Sequence, residues 1–203
     1  MSKSTRRIVM FNHVSADGYF AAPDGSRDWI VQEEAVHKAA IEGMPETDTM
    51  LFGRRTYDEF ESFWPHALDD SKTLPNPHAK GQRSEAMRAM AVWINDTMKI
   101  VFSKTRKNVT WKNSKLAPVL DPRAIADLKQ QPGKDLIIFG SGTIVTQLTQ
   151  HRLIDNYHFV VSPVLLGRGR SLFGELPKTV QLRLQDSKSF PSGVTLLRYS
   201  LAG

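Results

Sequence analysis

The segment DLIIFGSGTIVTQLTQ, residues 135–150, sets the fold class. Its apolar run at 136–139 has the length and isoleucine content of a buried strand, and residues 143–150 follow with a helical pattern. Gly140, Ser141 and Gly142 stand between them, where glycine lets the backbone turn tightly from one element into the next. Strand, tight turn, helix is the unit from which α/β sheets are built. The same unit recurs on both sides. Apolar runs rich in Val, Ile and Phe lie at 8–14, 49–52, 99–102 and 157–161, with weaker alternating runs at 180–184 and 194–199. Helical patterns fill 29–41, 56–63, 84–94 and 122–129. In the third, Met87, Met90, Ala91 and Ile94 recur at helical spacing, and in the fourth Asp121 is placed to cap a helix whose first residue is Pro122. Alternation of this kind predicts an α/β sheet with parallel strands in its middle. The last two strands have no helix between them, which predicts an antiparallel hairpin at the C-terminal edge, turning near Pro191, Ser192 and Gly193. Residues 65–81, with Pro75, Pro77 and Gly81, read as a long surface loop.

A chain of 203 residues is long enough for one sizeable core, so residues 1–203 are expected to form one domain. It has no cysteine, which excludes disulfides, thiolate catalysis and cysteine-based zinc sites, and no metal is expected. No leader pattern and no apolar stretch of membrane-spanning length is visible, so the expectation is a cytoplasmic protein that engages no membrane. The formal charge of +6 is spread along the chain without a basic block, which argues against nucleic acid and suits a phosphorylated small molecule equally well.

In open α/β sheets ligands sit at the carboxyl ends of the strands. Three such ends carry related chemistry here. After 49–52 come Gly53, Arg54, Arg55 and Thr56; after 99–102 come Ser103, Lys104 and Thr105; after 136–139 come Gly140, Ser141, Gly142 and Thr143. The third turn, with the free N–H groups of the helix it opens, offers a diphosphate site, although a ligand-free tight turn would read the same way. The full dinucleotide fingerprint is absent, because Val145 occupies the place of its last glycine. At the other two ends, guanidinium forks and an ammonium combine with hydroxyls, as a phosphate monoester requires, and no carboxylate stands ready to grip a free ribose hydroxyl. Singly each cation reads as a solvated charge at a helix start. Together at neighbouring strand ends they favour NADPH over NADH.

The ordered series SADGYFAAPDGSRDW, LFGRRTYDEF, KIVFSKT and DLIIFGSGTIVTQLTQHRLIDNYHFVVSPVLLGRGRSLF resembles the dihydrofolate reductase superfamily, in particular the reductase domain of the bifunctional riboflavin-biosynthesis deaminase-reductase. The resemblance runs from about Ile8 to Tyr199. It implies a three-layer mixed sheet, mostly parallel with an antiparallel C-terminal edge, flanked by helices. It also implies an NADPH-dependent reductase acting on a carbonyl or C=N carbon of a small substrate, akin to 5-amino-6-(5-phosphoribosylamino)uracil reductase or dihydrofolate reductase. An alternative is an NADP-binding regulatory module without turnover. Carried over by position, the 2′-phosphate falls to Gly53, Arg54, Arg55, Thr56, Ser103, Lys104 and Thr105. The diphosphate falls to Phe139, Gly140, Ser141, Gly142, Thr143 and Ile144. Val14 borders the nicotinamide, Ser15, Gly18 and Trp29 border the substrate, and Asp17 and Glu34 are the candidate catalytic acids. A deaminase half would need a cysteine-bearing zinc site, so only the reductase part is implied. Relatives commonly form dimers, and a homodimer is the expectation here. Glu33 neighbours Glu34 on the same helix, each reading more readily as an exposed acidic helix start, and His37 is a lone helical histidine that could donate a proton but more often is a surface or satisfied residue. LLGRGRSLF, with Arg168 and Arg170, reads as a substrate cover, a subunit contact or a simple connection.

Overall fold

The computed structural model describes residues 5–69 and 85–202. In chain order the elements are β1 (Ile8–Ser15), β2 (Tyr19–Ala21), α1 (Glu34–Ile41), β3 (Thr47–Gly53), α2 (Arg54–Phe63), α3 (Glu85–Asp96), β4 (Met98–Phe102), β5 (Ser114–Ala117), α4 (Pro122–Lys129), β6 (Asp135–Phe139), α5 (Gly142–Gln150), β7 (Asn156–Ser162), β8 (Arg170–Ser171), β9 (Leu182–Ser189) and β10 (Thr195–Leu201). The main sheet runs β5-β4-β3-β6-β1-β7-β10-β9. Its strands are parallel from β5 to β7, and β10 and β9 close the edge as an antiparallel hairpin. This is the mixed sheet with a C-terminal edge hairpin that the strand pattern predicted.

The central strands read as unbroken apolar runs because both of their faces are covered. Alternate residues divide cleanly between two layers. Ile8, Met10, Leu51, Leu136 and Ile138 face α4 and α5 with Ile125, Val145 and Leu148. Phe11, Met50, Phe52, Ile137 and Phe139 face α1, α2 and α3 with Val36, Tyr57, Ala91 and Ile94. Each fully buried side chain of this size contributes about 2 kcal/mol, so these runs fix the register against a one-residue slip. Because β6 enters between β3 and β1, the strand order reverses there. The carboxyl ends of β4, β3, β6 and β1 therefore come together at the kind of crevice where α/β sheets bind ligands.

Two local expectations are corrected, and one sheet strand had not been expected. The helix expected over 29–41 begins only at Glu34. Trp29, Ile30 and Val31, an aromatic and two β-branched residues, are poor helix formers, and Ile30 and Val31 instead turn toward the layer of α1 and α3. The strand expected over 180–184 lies at Leu182–Ser189, a largely polar and exposed segment. Its position follows from pairing with β10 across the tight turn at Pro191–Gly193, as in Thr195↔Ser189 and Leu201↔Leu182. Finally β5 had no apolar signature; it is an edge strand held by its register with β4, from Lys99↔Ser114 to Phe102↔Ala117. Beyond residue 69 the surface loop expected over 65–81 lies outside the described residues, as does Ser84 of the third helix. Among the described residues no helix is long and apolar enough to cross a membrane, and no group of three His, Asp or Glu is placed to hold a metal.

Candidate functional site

The turn from β6 to α5 depends on backbone conformations that glycine and short polar residues adopt. Gly140 has φ +55°, and Ser141 follows at φ 53°, ψ 54°, both left-handed. This places Ser141 against the neighbouring turn. Its Oγ accepts from Gly53 N at 2.9 Å, and its N–H donates to Thr56 Oγ1 at 3.1 Å. The two strand ends are thus clasped through Thr56, which is buried, and Thr56 is committed to the clasp. Since the Ser141 hydroxyl is turned to Gly53, it does not cap α5. The first N–H groups of that helix, at Gly142, Thr143 and Ile144, stay available for an anion. Ile144, Phe139 and Val14 have buried side chains, so they would meet a ligand only at their backbone or edges.

At the end of β4, buried Ser103 accepts from Thr105 N (3.2 Å) and Arg106 N (2.9 Å), which shapes the turn and leaves Lys104 and Thr105 exposed. Arg106, which the sequence did not single out, joins this turn to α2. It pairs with Asp58 and with Glu61 (2.5 Å) and lies 4.7 Å over the Tyr57 ring. Burial disfavours its cation, yet the hydrogen bonds and charges of Glu61 and Asp58 outweigh that and hold the guanidinium above its ordinary range. Asp58 also receives Arg54 at 3.0 Å. Arg55 and Lys104 are exposed and make no ion pair among the described residues. The result is a braced frame presenting free cations, together with the half-exposed Arg54, beside the open N-terminus of α5.

Asp17, expected as a catalytic acid, is engaged in several hydrogen bonds. Its carboxylate accepts from Ser15 Oγ (2.6 Å), Leu166 N (3.1 Å) and Gly167 N (2.7 Å). The Ser15 hydrogen bond, chiefly, holds its pKa below the usual carboxylate value. An ionised acceptor so committed is a poor proton donor, and it ties the 165–169 segment to the end of β1. Ser15 is buried and also accepts from Tyr19 N (2.9 Å), while Gly18, at φ +88°, completes the turn. Within the LLGRGRSLF segment, Arg170–Ser171 form β8, which pairs with β2.

Below these turns a cavity of about 380 Å³ opens between α1, α2 and α3, and it reaches Phe139 and Gly140. Phe11, Phe60, Phe63, Trp64, Met87 and Met90 give it aromatic and thioether walls. His37 of α1 borders it, and burial holds that imidazole below the ordinary histidine range, with Glu34 pulling less strongly the other way. Burial thus favours its uncharged form. Glu34 itself is at the surface, 3.7 Å from Lys38, and is not part of the lining. Trp29 is not part of it either; its neighbours Arg27 and Ile30 are. Arg27 meets Glu59 at 2.6 Å. Asn12, His13, Arg27, Gln32 and Glu59 escaped the sequence reading because they converge from separate elements without a shared motif.

Comparison with known proteins bears on this arrangement. A family model described as the RibD C-terminal domain matches residues 6–196. The Bacillus subtilis (strain 168) protein YyaP is 23% identical over 201 residues, covering 98% of this chain and 96% of that protein. The crystal structure of a Shewanella sp. PV-4 protein named for riboflavin biosynthesis superposes with a TM-score of 0.72 at 23% identity, covering 97% of this chain and 99% of the other. The bifunctional diaminohydroxyphosphoribosylaminopyrimidine deaminase and 5-amino-6-(5-phosphoribosylamino)uracil reductase of Thermotoga maritima superposes with a TM-score of 0.61 at 14% identity, covering 99% of this chain and 58% of that one. At these identities the two solved structures speak for the fold.

Proposed function

The chain belongs to the RibD C-terminal domain family, and on that premise we propose that it is an NADPH-dependent reductase of a small carbonyl or imine compound. One observation carries the reading: the cavity touches Gly140, the residue that opens the clasped phosphate-type turn, so a cofactor site and a substrate site are continuous at one end of the sheet. The donor set fits the cofactor. Arg54, Arg55 and Lys104 suit the 2′-phosphate, and the uncapped N-terminus of α5 suits the diphosphate. When bound there, the nicotinamide supplies the hydride. The chain's own residues bind, orient and shield. The aromatic walls exclude water, and His37 offers a neutral imidazole, able to donate or accept a hydrogen bond, to a substrate heteroatom. The placement of Asp17 and Glu34 outside the lining favours, as second reading, a cofactor-binding regulator without turnover; NADPH oxidation driven by any carbonyl substrate excludes it. The homodimer is carried forward on the same footing, with the exposed outer strand β9 as its contact, and sedimentation tests it.

Thermal shift with NADPH and NADH tests the cofactor assignment. NADPH is expected to raise the melting temperature clearly and NADH weakly. In Arg55→Ala and Lys104→Ala the NADPH affinity falls by roughly tenfold each, about 1.4 kcal/mol, while NADH is unaffected. Equal shifts by both cofactors in the wild type would refute the phosphate assignment.

A further inference from the structure

We propose that the cavity beside the cofactor site takes an uncharged, flat ring compound bearing a carbonyl or imine, and that the Arg27–Glu59 pair excludes phosphorylated sugars and polycarboxylates. The inference rests on the reductase reading for its chemistry, and on the cavity alone for its selectivity.

The walls come first. Phe11, Phe60, Phe63, Trp64, Met87 and Met90 make surfaces against which a planar ring packs by stacking and by contact with sulfur. A volume of about 380 Å³ lies near the small end of the ~300–1,000 Å³ range of small-molecule sites, enough for one or two fused rings with little room for a long polar tail. Asn12, Gln32 and Ser62 supply neutral donors and acceptors for ring heteroatoms.

Charge decides the rest. Among the described residues the lining has one guanidinium, Arg27, and one carboxylate, Glu59, bridged at 2.6 Å, together with two imidazoles, His13 and the half-buried His37, whose burial disfavours its cation. The charges cancel. A phosphate ester brings one or two negative charges and needs guanidinium forks or ammonium groups to replace its water. The free cations Arg55 and Lys104 are on the cofactor side and line no part of the cavity. Arg27 and Glu59 are also partly exposed, with 36% and 49% of their side chains accessible, so the pair stands at the rim, where an entering anion would meet Glu59 together with Arg27. Glu59 is therefore the residue that keeps Arg27 from recruiting an anion.

Calorimetric titration of the full chain saturated with NADP⁺ tests this, using quinoxalinone, an uncharged bicyclic imine, and its ring carboxylate. Quinoxalinone is expected to bind at least roughly tenfold more tightly than the carboxylate, and Glu59→Gln to narrow that gap several-fold by strengthening carboxylate binding. Ala40→Phe and Met90→Trp each fill the cavity, from α1 and from α3, and either one, folded, should abolish ring binding while NADP⁺ still binds. Carboxylate binding equal to or tighter than quinoxalinone in the wild type overturns the proposal. So does failure of both rings to bind, or ring binding that survives in a folded cavity-filled variant. Loss of NADP⁺ binding in the wild type with quinoxalinone binding intact would instead refute the reductase reading and leave the cavity's selectivity standing.

Discussion

Gly140→Val is expected to lower stability by about 3 kcal/mol and to abolish the thermal shift produced by NADPH. Two effects add. At φ +55° a β-branched residue is strained outright. A Cβ at this position would also stand 3.1 Å from Thr56 Oγ1 and 3.2 Å from Thr56 Cγ2, tighter than side chains ordinarily approach. Thr56 is buried at the start of α2, so it cannot swing into solvent. Pushed aside, it loses the hydrogen bond from Ser141 N, and Ser141 in turn loses its seat against Gly53. The β3 and β6 turns then part, and the N–H groups of α5 no longer face the cations of α2. Gly140→Ala serves as the graded control, with the same Cβ and without the branch, and is expected to keep a weakened NADPH shift. Urea unfolding and thermal shift on both variants check this. A Gly140→Val protein as stable as wild type and still shifted by NADPH would show that the clasp positions nothing. One destabilised but still shifted to the full extent would confine the glycine's role to folding.

The sequence showed more of the sheet than of the site, for a physical reason. Strands β1, β3, β4, β6 and β7 lie inside two helical layers, so both faces are apolar and the run itself is the signal. β5 is short and only partly covered, β9 is largely exposed, and at both the pairing with a neighbour strand fixes where the strand lies. The strand-end cations were visible because position after a strand is a local property. The brace that holds them was hidden, since Arg106 reaches Asp58 and Glu61 only after α2 and the β4 turn have packed side by side. Asp17 reads as a catalytic acid in SADG because the motif is short, and the backbone of Leu166 and Gly167 that claims it is about 150 residues further along. The cavity is the extreme case: among the described residues its walls come from three helices, three strands and the loops between them, and no residue among them is unusual where it stands. His37 looked like an ordinary helical histidine until the fold set it, half-buried, at the cavity wall.

The second large effect lies away from the site, at Lys99. Its side chain is fully buried, and Nζ donates to the carbonyls of Asn95 (3.1 Å), Thr97 (2.7 Å) and Lys112 (3.4 Å) while standing 4.3 Å over the Trp111 ring. Burial chiefly, and then the Lys112 charge, lower its pKa from 10.5 to about 8, against a smaller opposing pull from Asp96. A lysine whose folded pKa lies below its unfolded value is disfavoured as a cation by the fold. Between pH 8 and 10.5 the unfolded chain holds this proton and the native chain has released it, so native stability rises with pH across that window. Measured as the difference between wild type and Lys99→Met, which cancels the other titrating groups, the wild type is expected to gain on the order of 3 kcal/mol from pH 7 to pH 10.5. Below pH 8 the difference curve should be flat, because the proton is bound in both states. The size of the rise separates burial from the three carbonyls and the indole ring, which favour the cation. If they matched the desolvation cost, the folded pKa would stand near 10.5 and the difference curve would be level throughout. Urea unfolding at intervals from pH 7 to 10.5 reads this directly, and a level or falling difference would show that the carbonyl cage, together with Trp111, fully replaces the water that Lys99 gives up.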